Sequence, residues 1–338
     1  MKKLIFLTLF IMGISQAKSL EQKPLVIASQ GSFFVGGSVL KNDEGKSFHG
    51  DHAYVYYQKP MNAKKLPIVL LHGIHQATKT WESTPDGREG YANIFLRRGF
   101  SIYNFTTPRR GNASRSLDEA LIKPVFDEES WFVKWRIGIY PNYFKGVQFS
   151  KDKESLNQFL RQITPNIGKI DFELNTNILA NFFDELKGGI MMAHSQGVMH
   201  TWKLLPKTKN VKAVIALEGG GYFSFVKRPQ TEASEGVEYI MVDEKTFKSF
   251  TKMPILLIYG DNIPTTKSNV PELDIWRIRL DLAKKWANAV NEAGGDVSLI
   301  HLPELKIYGN THFLMSDLNN VEIADLISEW LKEKGLDK

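Results

Sequence analysis

Ser195 has the neighbours that a serine nucleophile needs. The apolar run Ile190-Met191-Met192-Ala193 reads as a strand, stops at His194-Ser195, and gives way to a helical pattern over Gln196–Leu205. Small residues stand two before the serine (Ala193) and two after it (Gly197), as a tight strand-to-helix turn requires. Such a nucleophile elbow lifts the hydroxyl over the sheet edge at the start of a helix. There, free N–H groups and the helix dipole favour a developing negative charge. The chemistry that follows is attack on a carbonyl carbon. Two other segments share the remnant Ser-x-Gly. Ser29 in Ser29-Gln30-Gly31 leads into another strand-like run, and Ser234 in Ser234-Glu235-Gly236 has no strand before it, so only Ser195 has strand before and helix after.

A serine nucleophile needs a base, and the base needs a group to orient it. Around such an elbow the order along the chain is nucleophile, acid, histidine. His312, in Gly309-Asn310-Thr311-His312, lies past the last strand-like run, whereas His301 lies inside it. Two acids are candidates. Asp261 follows the run Pro254–Tyr259, and Glu218 follows Val211–Leu217 and opens a three-glycine turn. Position alone leaves them equal. Two backbone N–H groups should bind the oxyanion. Gln196 would supply one and Ile74, in His72-Gly73-Ile74-His75, the other, with His75 and Gln76 at the mouth. The pairs His49/His52 and His72/His75 invite a metal reading, but the oxyanion loop explains the second pair better. No metal or cofactor is expected.

The elements that must hold these residues alternate after residue 66. Strands are expected at Pro67–His72, Ser101–Phe105, Ile190–Ala193, Val211–Leu217, Pro254–Tyr259 and Val297–Leu302. Helices are expected at Tyr91–Arg98, Gln196–Leu205, Leu273–Ala293 and Asn320–Glu333. The alternation implies a mainly parallel sheet with helices on both faces. Val26–Val35 and Ala53–Gln58 read as antiparallel strands at its edge. Residues 112–175 and 220–250 exceed what a crossover needs and are rich in aromatics, so they read as cap insertions over the C-terminal edge, where ligands bind in open α/β sheets. Most of those aromatics should pack the insertions to the body, with Trp131, Trp135 and Tyr222 as candidate pocket walls.

Lys2 and Lys3 followed by the apolar stretch Leu4–Ile14 and Ser15-Gln16-Ala17 read as a signal peptide cleaved after Ala17. A secreted or periplasmic protein without stable membrane insertion is expected, with residues 18–338 as one domain; the alternative is a membrane anchor. Cleavage lowers the formal net charge from +6 to +4, and the basic residues are scattered, so no nucleic-acid partner is expected. The chain has no cysteine, which excludes thiolate catalysis and disulfides.

With these residues in place the chain resembles the α/β-hydrolase superfamily and, within it, a small group of secreted bacterial carboxylesterases. The matching pieces are Gly31–Gly37, His72-Gly73, Thr80–Arg88, Arg110-Gly111, His194–Gly197, Leu217–Gly219 and Gly309–His312, with Asp317 beyond. Thr80–Arg88 is the most specific of them. The resemblance implies a Ser-His-Glu triad with the acid after the sixth strand, which selects Glu218 over Asp261. It also implies a cap and a homodimer. Departures are Ala193 for the usual elbow glycine and Ile74-His75 in the oxyanion loop. The expected reaction is hydrolysis of a small-molecule carboxylic ester through an acyl-enzyme, rising with pH through roughly 6 to 8 as a histidine loses its proton. An amidase, lactonase or peptidase would use the same parts. A non-catalytic binding protein of this fold is the alternative of another class. Dehalogenases and epoxide hydrolases are disfavoured because they place Asp at the elbow.

Overall fold

Eight strands make the central sheet: β1 (Ile27–Val35), β2 (Ala53–Pro60), β3 (Ile68–Leu71), β4 (Ile102–Thr106), β5 (Gly189–His194), β6 (Val211–Leu217), β7 (Pro254–Tyr259) and β8 (Asp296–His301). Their spatial order is β1-β2-β4-β3-β5-β6-β7-β8. β1 pairs antiparallel with β2, and β2 with β4, while every other pairing in the sheet is parallel. The structure, a computed structural model, describes residues 24–232 and 239–338. The signal-peptide segment with its cleavage site, and Ser234, lie outside the described residues. No described helix is long and apolar enough to cross a membrane.

The inner strands read as unbroken apolar runs because both of their faces are buried. Met191 and Ala193 of β5 and Val214 and Ala216 of β6 face one core layer, and Ile190, Met192, Ala213 and Ile215 face the other. The first layer is closed by α4 (Phe172–Leu186), α5 (Gln196–Leu204) and α6 (Pro271–Glu292), which bring Phe182, Phe183, Trp202 and Trp286. The second is closed by α1 (Tyr91–Arg97) and α7 (Asn320–Glu333), which bring Phe95, Ile323, Ile327 and Trp330.

The chain between β4 and α4 carries α2 (Glu128–Lys134), a short ribbon at Gly138–Ile139 and Asn142–Tyr143, and α3 (Lys153–Arg161). α4 starts at Phe172, inside the range expected for the first insertion, because the Asp171 carboxylate caps it by accepting from Leu174 N–H at 2.9 Å. Such a cap is worth about 1 kcal/mol. In the second range, Phe223 and Phe225 are buried and belong to the core layer under α5 and α6, with Phe223 at 5.3 Å from Trp286. Those two aromatics therefore pack on the side of the sheet and not over its edge.

Gly197 shows how tightly the elbow is packed. A Cβ there would stand 2.7 Å from both Leu71 O and His72 O. Neither carbonyl can yield without moving β3, so the first turn of α5 touches that strand only through glycine. Gly197→Ala is expected to destabilise the protein by about 1–3 kcal/mol, lowering Tm by about 1.5–5 °C in thermal denaturation. An unchanged Tm would contradict this close approach.

Candidate active site

The parallel register brings the C-terminal ends of β3, β5, β6 and β7 together, and the candidate residues follow those ends directly. Leu217 is the register partner of His194, so Ser195 and Glu218 leave neighbouring strands side by side. Ser195 N–H donates to Leu217 O at 3.0 Å, and Glu218 N–H donates to Ile258 O at 2.9 Å. Ser195 has φ 52° and ψ −114°, a conformation that costs a non-glycine residue about 1–3 kcal/mol. His75, Arg136, Glu218 and Tyr222 also have positive φ. Five of the eleven positive-φ non-glycine residues among the described residues thus belong to this site, and the packed core beneath holds them in place.

His312 Nδ1 donates to Glu218 Oε2 at 3.2 Å, which leaves Nε2 as the basic nitrogen. Glu218 is wholly buried, and its other oxygen accepts from Arg136 Nη2 at 2.6 Å and from Gly260 N–H. Burial alone would raise the Glu218 pKa, but the charges of Arg136 and His312 and their hydrogen bonds hold it at about 2. Asp261, the other candidate, accepts from Gly309 N–H at 2.6 Å and Asn262 N–H at 2.6 Å, and its backbone carbonyl accepts from Arg136 Nε at 2.8 Å. The structure brings Glu218 to His312 and turns the Asp261 carboxylate toward the backbone.

Several residues of the resemblance brace His312. His194 Nε2 donates to His312 O at 2.8 Å, and the two rings lie 4.5 Å apart. Asp317 accepts from Thr311 N–H at 2.9 Å, Thr311 Oγ1 at 2.7 Å and Asn310 Nδ2 at 3.0 Å. Arg88, at the end of the Thr80–Arg88 stretch, donates to Asp317 O at 3.1 Å and Asn320 Oδ1 at 2.9 Å. Through Arg88 that stretch fastens the histidine loop to the body.

On the oxyanion side, Gln196 opens α5, where the first N–H groups have no partner within the helix. Ile74 follows Gly73, whose missing side chain lets the loop approach: a Cβ there would lie 2.9 Å from His194 Nδ1 and 3.0 Å from Ser195 Cβ. Buried Arg110 holds this loop by donating to Gly73 O at 3.0 Å and Gln76 O at 3.1 Å. Burial lowers the Arg110 pKa to about 10, so it stays charged at neutral pH.

Ser195, Gln196, Ile74 and His312 open onto one cavity of about 240 Å³, walled by Trp131, Trp135, Met199, Tyr222, Trp276, Lys134 and Arg279. His75 stands behind this wall, edge-on to the Trp131 ring at 4.8 Å. A larger groove, about 800 Å³, lies between Leu205–Lys212 and Ser249–Met253, but it contains none of the reactive residues. The sequence reading missed Arg136, Trp276, Met199 and Arg279. Met199 lies on the elbow helix itself, one turn past Ser195, whereas the other three lie in no motif and only the fold carries them to the elbow.

Burial among Trp276, Phe313 and His194 pulls the His312 pKa down to about 4, against the pull of Glu218. The rise expected between pH 6 and 8 therefore moves to the acid side. A base works only when neutral, so kcat/KM should stay level from neutral pH to about 5 and fall as pH drops through about 4. Glu218 remains ionised throughout that fall. An inflection near 7 that disappears in Asp317→Asn would report Asp317, whose carboxyl burial pushes up to about 7. One at 6–7 that persists in that variant would mean His312 is more solvated than it is here.

No protein-family model matches the chain. It is similar to a bacterial esterase of known atomic-resolution structure: 28% identity over 93% of this chain and 98% of that one, with a TM-score of 0.75. Among curated proteins it is 22% identical, over 89% of each chain, to a probable secreted lipase, phiG, of a fungal species (strain ATCC 74256). By its sheet order, its strand-to-helix turn and its likeness to that esterase over nearly its whole length, the chain has the α/β-hydrolase fold.

Proposed function

We propose that the protein is a serine hydrolase of small carboxylic esters, exported from the cell that makes it. The observation that carries this is the convergence of Ser195, the His312–Glu218 pair and two candidate oxyanion donors on one aromatic-walled cavity. The likeness to a bacterial esterase supports the ester class. The likeness to a protein described as a secreted lipase, together with the signal-like first 17 residues, supports export, with the periplasm as one destination.

Ser195 Oγ attacks the acyl carbon as His312 Nε2 takes its proton. Gln196 and Ile74 N–H groups receive the oxyanion. His312 returns the proton to the leaving alkoxide, and the alcohol departs. Water then attacks the acyl-enzyme with His312 again as base, releasing the acid and restoring Ser195. Glu218 holds His312 in the Nδ1–H tautomer and stabilises its cation during both transfers. The cavity suits a small or medium substrate, and its tryptophans suit an apolar one.

The test is a panel of p-nitrophenyl esters from acetate to palmitate, run beside matched anilides and a lactone, together with fluorophosphonate labelling. Ester turnover with an optimum at short or medium acyl length is expected, with label on Ser195. Label without ester turnover would move the reading to amides or lactones. Neither label nor turnover by folded protein would favour a binding protein.

A further inference from the structure

The excursion between β4 and α4 also binds the triad's support. Lys134 O accepts from Trp276 Nε1 at 2.7 Å, and the Trp276 ring lies 4.5 Å from the His312 ring. Trp135 O accepts from His312 N–H at 2.9 Å. Arg136, fully buried, donates to Glu218 Oε1 and to Asp261 O, and its guanidinium lies 4.6 Å from the Trp276 ring. Three successive residues therefore hold the base, the acid and the ring packed on the base.

We propose that Arg136 is a positioning residue of the ester-hydrolysing centre, fixing Glu218 in the orientation that holds His312, so that the docked excursion completes the triad. The inference rests on the roles proposed above for Ser195, His312 and Glu218. A carboxylate with no solvent exposure takes up a proton unless a cation faces it. A protonated Glu218 would cease to hold the imidazolium. Buried ion pairs are weak evidence for stability, since apolar residues of equal volume hold a core as well. Arg136 also keeps a positive φ of 59°. Both facts favour a functional reason for a cation at this spot. Its two fixed donors, Nε to the Asp261 carbonyl and Nη2 to Glu218, aim the guanidinium in a way a lysine ammonium could not.

Other charged or titratable groups face this centre and must be held constant in a test. Arg279 reaches it from α6, Tyr259 from the end of β7, His194 from β5, His301 from the end of β8, and Asp317 from the histidine loop. Arg136 is the largest influence lowering the Glu218 pKa, and its charge also lowers that of His312. Removing that charge should raise both.

The experiment measures kcat, KM and the pH profile on one p-nitrophenyl ester for wild type, Arg136→Met, Arg136→Lys, Glu218→Gln and the Arg136→Met/Glu218→Gln double variant. Arg136→Met is expected to lower kcat by about 100-fold or more with KM nearly unchanged, and to move the acid limb up by about one pH unit. Arg136→Lys keeps the cation but not the two fixed donors, so its limb should stay near wild type while kcat returns only in part. In the Glu218→Gln background, Arg136→Met should change kcat by less than about 3-fold, because it acts through a carboxylate already gone. Losses that multiply in the double variant, or a limb that Arg136→Met leaves unmoved, would overturn the proposal. If Arg136→Met alone does not fold, Arg136→Lys and the charge-neutral double variant against Glu218→Gln decide it. An NMR titration of His312 reads the same shift without turnover, so this inference and the ester reading fail separately.

Discussion

Ser195→Ala is expected to lower kcat on an activated ester by about 10⁶-fold, and adding His312→Ala is expected to lower it little further. The two groups act as one unit. A serine hydroxyl is a poor nucleophile at its own pKa, and a histidine without it has nothing to deprotonate. The surroundings make the loss large. Ser195 is 8% exposed and His312 2% exposed, so bulk water does not replace the nucleophile at the same point. Binding should survive, because the cavity walls and the oxyanion donors are untouched; KM is expected to change by only a few-fold. Any remaining rate would come from those donors, which typically keep about 10³–10⁴ over water. If the single losses instead multiplied in the double variant, the two residues would be acting independently and the acyl-enzyme route would fall. Steady-state kinetics on p-nitrophenyl butyrate, with circular dichroism to establish folding, is sufficient to decide.

The sequence carried the sheet well because buried parallel strands leave a plain signature. Val211–Leu217, Pro254–Tyr259 and Asn320–Glu333 have the bounds that their apolar patterns suggest, and the other core elements shift by a residue or two at their ends. The excursions carried no such signature. α2 and α3 are short and interrupted, and their aromatics serve both packing and pocket, a division periodicity does not encode. Trp131 and Trp135 wall the cavity, yet Trp135 also meets Phe159 at 5.3 Å and Phe313 at 5.2 Å inside the core. Phe126, by contrast, is almost fully exposed. Arg136 was illegible for another reason: its meaning lies in a partner 82 residues away. The pH expectation shifts on the same ground. A histidine's reference pKa is a property of water, and the burial that displaces it belongs to the fold.

The largest remaining effect separates the two carboxylates that chain position left equal. Glu218→Gln is expected to lower kcat by about 10⁴-fold, and Asp261→Asn by less than about 10-fold. The difference comes from what each group touches. Glu218 Oε2 receives the Nδ1 proton of His312 at 3.2 Å, whereas the Asp261 carboxylate receives backbone N–H groups of Gly309 and Asn262. A glutamine at 218 can turn its amide N–H toward His312. The ring would then have to present Nδ1 as acceptor and place its proton on Nε2, the nitrogen that must accept from Ser195. It would also have no charge to meet the imidazolium that forms during transfer. Arg136, left facing a neutral amide, adds a stability loss on the order of 3–5 kcal/mol from an uncompensated buried charge, so folding must be verified alongside the rate. Asp261→Asn keeps the size of the side chain and the Asp261 carbonyl that anchors Arg136. It replaces one of the two accepting oxygens by an amide NH2, so either the Gly309 or the Asn262 N–H loses its acceptor, which loosens the start of the histidine loop. A loss of about 10⁴ in Asp261→Asn, with Glu218→Gln near wild type, would transfer the acid to β7 and remove the basis for Arg136 as its positioning partner.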